Sequence, residues 1–412
     1  MIRASLLFAF LFTGCAGSSP DALRLATTKA LVPARPATVG MHSGLSRTLD
    51  ALIESALADS AASGAVVAVG RHGRLVHHHA YGTVAYAHLV ADPARVTPST
   101  RFDLASLTKV VATTTAAMLL EEEGQLYLDA RIADLLPGFD DPAKAAITVR
   151  MLLEHRGGLE PFARLYEDLR GRDAYLAAIN SRPLRHEPGT VTLYSDWDLI
   201  LLQLVIERIA NQSLDAFVQA RIFAPLGMTR TGFRPAVSGV PRRAIIATEV
   251  DAQGRTGLIH GEVHDPNAWA LGGVAGHAGL FSTAHDLAVF AQLMLNGGTY
   301  NGIRLLRPAT VARWTAVQDA ASSRALGWDT PSGVSSSGRY FGPRAFGHTG
   351  YTGTSLWIDP DRGLFVVLLT NRVHPTSANR KHIALRRALA DAVQAAILDA
   401  PRIDWEARRS GL

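Results

Sequence analysis

The first periodic stretch of the chain predicts a helix followed by a β-hairpin. Residues 45–62 carry four apolar residues at helical spacing: Leu49, Leu52, Ile53 and Leu57. Residues 64–81 form two apolar runs on either side of His72-Gly73, a dipeptide that is typical of a tight turn. The N-terminal end should therefore contribute one helix and two paired strands.

A long middle region, from about residue 106 to 308, carries mainly helical signals. Residues 110–123 form an apolar, Ala-rich run, and residues 198–211 form a second one. Ahead of a third run, Thr283 and Asp286 stand at capping-box spacing, with Asp in the place of the usual Glu. We expect this region to fold as a large helical block.

Strand signals return after Gly347. Residues 355–358 and 364–369 are apolar runs separated by a turn over 359–363, and an amphipathic helix is expected over 377–398. Strands from both ends of the chain would then share one sheet. The expected fold class is α/β of the α+β type: an antiparallel sheet flanked by N- and C-terminal helices, with a large helical insertion domain.

Length and composition agree with a two-lobed globular domain over residues 44–412. The chain has 412 residues, more than one hydrophobic core usually holds, so two lobes or one large α/β unit are expected. We assign residues 44–100 and 311–412 to a sheet lobe and residues 101–310 to a mainly helical lobe. The net charge of +5 is carried by scattered arginines rather than by a basic block, so nucleic acid is not an expected partner.

The N-terminus has the pattern of a processing signal. Arg3 precedes an apolar run over residues 6–12 that is too short to span a bilayer. The following Thr13-Gly14-Cys15 resembles a bacterial lipobox, which implies a signal peptide over 1–14, lipidation of Cys15 and a tether over 15–43. The alternative is an ordinary cleaved signal peptide with an incidental cysteine. Because Cys15 is the only cysteine, the mature domain can hold no disulfide and no cysteine nucleophile.

Ser106 and Lys109 form the first candidate chemical motif. Residues three apart share a helix face, so the Lys109 ammonium can lie against the Ser106 hydroxyl. A serine is a weak nucleophile until a base or a cation lowers the cost of its alkoxide. Most positive charge in this chain is arginine, and lysine differs from arginine in that it can lose its proton. The alternative is a surface lysine on an ordinary helix.

Two further segments can complete an acyl-transfer site. Tyr194 precedes the apolar run from residue 199, and Asp196 could cap that helix. A Tyr194 phenolate near Lys109 could accept the Ser106 proton. The segment 347–355 is rich in small residues and leads into a strand, where a backbone N–H could join that of Ser106 in an oxyanion hole. Taken alone, these segments also fit a loop tyrosine and a tight turn.

In their order along the chain, the three segments resemble the penicillin-recognising serine hydrolases. This superfamily comprises class C-type β-lactamases, D-alanyl-D-alanine carboxypeptidases and esterases on the same fold, with the motifs Ser-x-x-Lys, Tyr-x-Asn and Lys-Thr-Gly or His-Thr-Gly. The corresponding segments here are Ser106-x-x-Lys109, Tyr194-x-Asp196 and His348-Thr349-Gly350. The resemblance runs from about residue 45 to the last helix.

The resemblance implies a role for each motif residue. Ser106 would attack a carbonyl carbon and form an acyl-enzyme, while Lys109 and Tyr194 shuttle the proton. The backbone N–H groups of Ser106 and Tyr351 would hold the oxyanion, and water activated by Tyr194 would release the acyl group. The residues expected to bind substrate are Asp196, His348, Thr349 and Gly350.

Two departures from the family motifs narrow the expected activity. Asp196 stands where efficient β-lactamases have Asn, and a carboxylate cannot donate the hydrogen bond that Asn gives to an amide carbonyl. Asp196 could instead hold Lys109 charged, which would shift proton transfer toward Tyr194. His348 replaces a lysine; it keeps a donor but is mostly neutral near pH 7, which should weaken recognition of a β-lactam carboxylate.

We predict an envelope serine hydrolase of the D-Ala-D-Ala carboxypeptidase or penicillin-binding type, acting on a peptidoglycan peptide or a small molecule. The alternatives are a carboxylesterase, a weak β-lactamase, or a non-catalytic penicillin-binding or scaffold protein, which would not need Ser106, Lys109 and Tyr194 together. Lipidation would place the chain in the cell envelope facing the periplasm, and Ala16 favours the outer membrane. The oligomeric state stays open.

Other residues that could bind a metal or take part in catalysis have structural interpretations. Three consecutive histidines, His77, His78 and His79, alternate between the faces of a strand and cannot all converge on one ion. Residues 261–283 contain His and Asp without zinc-like spacing and are expected to form a loop beside the active-site cleft that shapes substrate access. The Gly-x-Ser-x-Gly motif of α/β-hydrolases does not occur in the sequence. We therefore predict neither a metal nor a cofactor.

Overall fold

The structure is a computed structural model that describes residues 30–319 and 322–409. The predicted signal peptide, Cys15 and the first half of the predicted tether lie outside the described residues. None of the helices within those two ranges is long and apolar enough to cross a membrane.

Strands and helices are numbered here in chain order. The strands are β1 (Val32–Pro33), β2 (Gly64–Arg71), β3 (Arg74–Gly82), β4 (Phe102–Asp103), β5 (Gly232–Phe233), β6 (Ala247–Val250), β7 (Leu258–His260), β8 (Leu280–Ser282), β9 (Thr299–Tyr300), β10 (Ile303–Arg304), β11 (Phe346–Thr349), β12 (Ser355–Asp359) and β13 (Leu364–Thr370). The α-helices are α1 (Leu45–Ala58), α2 (Thr115–Glu122), α3 (Ile132–Leu135), α4 (Val149–Leu153), α5 (Arg172–Ser181), α6 (Asp196–Ala210), α7 (Leu214–Val218), α8 (Ala224–Leu226), α9 (Pro266–Ala270), α10 (Ala284–Leu295), α11 (Pro308–Thr315), α12 (His382–Ala395) and α13 (Trp405–Arg409). Two π-helical turns, Lys109–Thr114 and Gln219–Phe223, lead into α2 and α8.

The main sheet joins strands from the two ends of the chain, as the sequence predicts. Its order is β1-β3-β2-β13-β12-β11. All neighbouring strands are antiparallel except the short β1, which pairs with β3 in parallel. The expected class, an antiparallel sheet flanked by terminal helices with a helical insertion, is confirmed.

Both faces of the sheet are covered, which explains why its central strands are almost continuously apolar. On β2, Val66 and Ala68 belong to the large core shared with the helical lobe. The intervening Val67 and Val69 belong to a second core together with residues of α1 and α12. The N- and C-terminal helices therefore form one outer layer, and the helical lobe covers the opposite face.

Helix boundaries differ from the predicted ones where side chains or turns compete with the helix. α1 ends at Ala58 rather than at residue 62, because the chain turns at Ser60, whose φ is +58°. α12 begins at His382 rather than near Ser377. The carbonyl group of Ser377 instead accepts a hydrogen bond from the buried Arg372, which fixes the preceding loop outside the helix.

The predicted capping box of α10 forms only in part. Thr283 Oγ1 accepts a hydrogen bond from the backbone N–H of Asp286 at 3.2 Å. The Asp286 carboxylate does not return to Thr283; it accepts instead from Thr231 Oγ1 at 2.8 Å and from the backbone N–H of Arg230 at 2.9 Å. The carboxylate thus ties α10 to the segment that precedes β5.

The middle region is not wholly helical. Within it, β4, β8 and β5 form a three-stranded sheet, and β6 pairs with β7. This small sheet matters for the site because β4 ends three residues before Ser106 and pairs with β8 through Asp103 and Phe281. It fixes the backbone from which the predicted nucleophile projects.

Candidate active site

Ser106 follows a strained turn at the end of β4. Asp103 Oδ1 accepts a hydrogen bond from the N–H of Ala105 at 2.8 Å, and Ala105 adopts a φ of +46° although it is not glycine. Such conformations persist only where the surroundings enforce them, and they are common at functional sites. Residues 107–108 then start the helical segment in which Lys109 opens a π-helical turn.

Lys109 is fully buried and uses all three of its N–H donors. Its Nζ lies 3.0 Å from Ser106 Oγ, 2.6 Å from Asp196 Oδ1 and 3.1 Å from the His277 carbonyl oxygen. Burial lowers the pKa of Lys109, but the charges of Asp196 and Tyr194 and their hydrogen bonds outweigh this and raise the pKa above its ordinary value. Lys109 is therefore a cation at neutral pH, and its Nζ is placed where it could stabilise negative charge on Ser106 Oγ.

The ring of Tyr194 lies between two cations and two histidines. Lys109 Nζ is 4.9 Å and the Arg324 guanidinium 5.2 Å from its centroid. The ring centroids of His155 and His348 lie 4.5 and 6.0 Å away. Burial, with the charges of Arg324 and Lys109, lowers the pKa of both histidines well below the usual range, so both are neutral. Tyr194 is thus the ring that connects Lys109 with Arg324 across the site.

Asp196 does not cap α6, which corrects the sequence-based expectation. The N-cap is Ser195, whose Oγ accepts a hydrogen bond from the N–H of Trp197 at 3.1 Å. Asp196 is the first helical residue, and its carboxylate pairs with Lys109. Of the two uses that the sequence leaves open, holding Lys109 charged is the one for which the carboxylate is placed.

The turn after β11 packs directly on the backbone that precedes Ser106. Thr352 Oγ1 donates to the carbonyl oxygen of Asp103 at 2.7 Å, and Thr354 Oγ1 donates to that of Leu104 at 3.0 Å. At Gly350 an added Cβ would lie 2.3 Å from the Leu104 oxygen, so only glycine allows this approach. The turn over 350–354 and the nucleophile segment thus form one unit.

Two buried arginines hold the same turn from its other side. Arg386 Nη2 donates to the carbonyl oxygens of Gly350 and Thr354 at 2.5 and 2.6 Å, and Arg372 Nε donates to that of Tyr351 at 2.6 Å. The backbone N–H groups of Ser106 and Tyr351 donate no hydrogen bond to any residue within 30–319 and 322–409. Both are available to a substrate oxygen, as an oxyanion hole requires.

His348 does not offer the free donor that the sequence suggests. Its Nδ1 lies 2.8 Å from the carbonyl oxygen of Thr349, which assigns the ring proton to Nδ1. The buried Nε2 has no hydrogen-bond partner among the described residues and is left as an acceptor. The positive charge on this side of the site therefore comes from Arg324, not from position 348.

Sequence reasoning missed His155 and Asp198, whose Nδ1 and Oδ2 atoms lie 2.9 Å apart beneath Tyr194. Residues 261–283 border the site as expected, through the carbonyl group of His277, whose Nε2 lies 2.9 Å from Asp265 Oδ1. They are not one loop as expected, because they include α9 and β8. Arg324 lies in a loop without a recognisable motif and carries no sequence signal.

Two groups of described residues bring potential metal ligands within 4.8 Å of one another. One is Asp196, Asp265 and His277, but there the Lys109 ammonium already supplies a positive charge to Asp196. The other, away from the active site, comprises Asp50, His77 and His79.

Comparison with known proteins agrees with this geometry. The model of the family described as Beta-lactamase matches residues 49–391. An Escherichia coli K12 protein with the provisional name D-alanyl-D-alanine carboxypeptidase is 37% identical over 320 residues, covering 71% of this chain and 73% of that protein. A Salmonella typhimurium LT2 protein with the same provisional name is 35% identical over 384 residues, covering 85% and 88%. A penicillin-binding protein homologue from Caulobacter crescentus, 22% identical, has the same fold, with a TM-score of 0.66 over 86% of this chain and 99% of that one.

Proposed function

The chain belongs to the beta-lactamase family of serine hydrolases, and from that premise we propose that it is a D-alanyl-D-alanine carboxypeptidase of the cell envelope. Ser106 would be its nucleophile, Tyr194 its general base and Lys109 a fixed cation. The relatives at 35–37% identity carry the name of this activity, which supports the proposal. The geometry of the cleft supports it independently.

Acylation would begin with transfer of the Ser106 hydroxyl proton to the Tyr194 phenolate. Ser106 Oγ then attacks the carbonyl carbon of the penultimate D-Ala, and the N–H groups of Ser106 and Tyr351 hold the resulting oxyanion. When the intermediate collapses, the terminal D-Ala leaves as an amine that takes its proton from Tyr194. Lys109 stays protonated throughout, because its three acceptors stabilise the ammonium form.

Deacylation would repeat these transfers with water. Tyr194 removes a proton from a water molecule, whose oxygen attacks the ester carbonyl carbon of the acyl-enzyme. The same oxyanion site holds the second intermediate. Ser106 Oγ then leaves, recovers a proton from Tyr194 and restores the starting state.

The unpartnered Nη1 atom of Arg324 is the observation that favours a substrate with a free carboxylate. Its guanidinium stacks over Tyr194, and its Nη1 is buried without a hydrogen-bond partner among the described residues. The Asp329 carboxylate oxygen lies 3.8 Å from Nη1, too far for a hydrogen bond. A peptide carboxylate would supply the missing acceptor, whereas a simple ester would not.

The departures at Asp196 and His348 support weak β-lactamase activity at most. Asp196 is engaged by Lys109 and offers no donor to an amide carbonyl, and the Nδ1 proton of His348 is engaged by the Thr349 carbonyl group. β-Lactams should therefore acylate Ser106 and be released slowly.

The proposal is tested with purified protein that lacks residues 1–15. It is treated with a fluorescent penicillin, with nitrocefin, with a short-chain p-nitrophenyl ester and with a D-Ala-D-Ala peptide. We expect covalent labelling and release of D-Ala, and Ser106→Ala should abolish both. Turnover that survives Ser106→Ala would refute the assignment of the nucleophile. Ester turnover above peptide turnover, unaffected by Arg324→Gln, would replace the carboxypeptidase with a carboxylesterase.

We further propose that Cys15 anchors the protein to a membrane facing the periplasm. The lipobox-like residues 13–15 support this proposal. In cells fed a lipid analogue that can be labelled, the wild type should carry the label and sediment with the outer-membrane fraction. Cys15→Ala should lose both properties, and a labelled or sedimenting variant would contradict the anchor.

A further inference from the structure

His77 and His79 share one face of β3, and Asp50 of α1 points at them. Alternation along the strand places His78 on the other face, so the three histidines do not converge, as expected. Two of them nevertheless meet a carboxylate from a different element. His79 Nδ1 lies 2.8 Å and His77 Nε2 lies 3.9 Å from Asp50 Oδ1.

These separations are close to those within a metal coordination sphere. One ligand atom from each of Asp50, His77 and His79 lies within 4.8 Å of the other two. Zinc binds nitrogen and oxygen at roughly 2.0–2.2 Å, so two ligands of a tetrahedral site lie about 3.3–3.5 Å apart. Binding would require the partly exposed Asp50 and His79 side chains to rotate, and the Tyr81 hydroxyl, which contacts His77 Nε2 and Asp50 Oδ1, to move aside.

Surrounding hydroxyl groups orient His77 and Asp50. The Tyr81 hydroxyl donates its proton to Asp50 Oδ1 at 2.6 Å, so its oxygen, 3.0 Å from His77 Nε2, accepts a hydrogen bond from that nitrogen. Ser46 Oγ lies 3.2 Å from His77 Nδ1 and can accept from it in the other tautomer, which frees Nε2 for an ion. Partners of this kind fix the orientation and tautomer of metal-binding histidines in known sites.

The group offers two imidazole nitrogens and one carboxylate oxygen as possible ligand atoms.

We propose that Asp50, His77 and His79 bind a divalent transition-metal ion of the zinc class, joining α1 to β3. Imidazole and carboxylate donors favour such an ion over magnesium or calcium, which prefer sets of oxygen ligands. His79 and Asp50 remain 49% and 33% exposed, so a water molecule can complete the coordination from solvent. The bound ion would fasten the first helix of the domain to the sheet.

The test uses the whole domain without a polyhistidine tag, after treatment with a chelator. Zinc chloride should bind by calorimetry with one ion per chain at this site and raise the thermal midpoint, while magnesium chloride should do neither. His79→Gln should weaken zinc binding at least tenfold. The matched control is His285→Gln, because His285 is equally exposed, at 52%, and belongs to neither ligand group.

A folding control and two possible results complete the test of the metal site. Unfolding of His79→Gln at the wild-type temperature in chelator would show that the variant folds, so that a loss of affinity reports a lost ligand. Equal zinc affinity in wild type and His79→Gln would overturn the proposal, leaving a hydrogen-bonded cluster only. Loss of the zinc site in Asp265→Asn but not in His79→Gln would also overturn it, since the ion would then lie at the active site.

Discussion

Replacing Gly350 with alanine tests how the oxyanion site is built. The new Cβ would lie 2.1 Å from Thr354 Oγ1 and 2.3 Å from the carbonyl oxygen of Leu104. The Thr354 side chain can rotate away, but the Leu104 oxygen belongs to the backbone two residues before Ser106. Because carbon contacts are relaxed only near 3.5 Å, the two backbones would have to separate by about 1 Å.

This separation moves one oxyanion donor away from the other. The N–H of Tyr351 follows Gly350 directly, whereas the N–H of Ser106 belongs to the segment that is pushed away. A misplacement of about 1 Å costs roughly 100-fold in rate, and loss of one oxyanion donor costs about 10²–10³. We expect Gly350→Ala to slow acylation of Ser106 about 100-fold, or about 2.7 kcal/mol in barrier height.

The assay measures the rate at which saturating fluorescent penicillin labels Ser106, from samples quenched at successive times. Gly232→Ala is the matched control, because its Cβ would meet only Gln219 Oε1 at 3.9 Å and its backbone is equally compatible with alanine. Thermal unfolding of both variants separates loss of the site from loss of the fold. Labelling of Gly350→Ala within threefold of wild type, with an unchanged thermal midpoint, would refute the claim that this turn positions the donor.

Three further changes test the charges and caps described above. Asp196→Asn removes the charge that raises the pKa of Lys109. The free energy of unfolding in urea should therefore fall by up to about 3 kcal/mol at neutral pH. This difference from the wild type should shrink as pH rises through the folded-state pKa of Lys109, which lies above 10.5. A deficit that is the same at all pH values would contradict the pairing. Arg324→Gln should raise KM for the D-Ala-D-Ala peptide at least tenfold and leave p-nitrophenyl ester turnover within twofold, as measured in parallel assays. Thr283→Ala should lower the free energy of unfolding by about 1 kcal/mol through loss of the α10 cap, and an unchanged urea midpoint would contradict that role.

The main sheet could be predicted because its central strands are buried on both faces. All residues of β2 and β13 are buried, so each strand is an apolar run bounded by turn residues. The short strands of the helical lobe escaped prediction because two or three residues carry no periodicity. β4 exists because Phe102 and Asp103 pair with a segment nearly 180 residues away.

The motif residues of the candidate site could be predicted from the sequence, but the partners of their charged and polar groups could not. Ser195 and Asp196 are both good N-cap residues, and only the approach of Lys109, 87 positions away, decides that Ser195 caps the helix. Likewise, the donor of His348 is lost to a backbone carbonyl group whose position depends on the turn. Arg386 lies on the buried side of α12, where an arginine among apolar positions is a signal that could have been used.

The two departures from the family motifs compensate each other. Asp196 adds a negative charge that keeps Lys109 protonated, so that in the proposed mechanism Lys109 would act as a cation rather than as a base. A lysine at position 348 would then place a third cation beside Lys109 and Arg324. Burial, together with the charges of these two residues, already lowers the pKa of His348 well below its usual range. A neutral His348 avoids that repulsion and, under the proposed function, leaves Arg324 as the cation for a substrate carboxylate. Proton transfer would then fall to Tyr194, whose ring lies between Lys109 and Arg324.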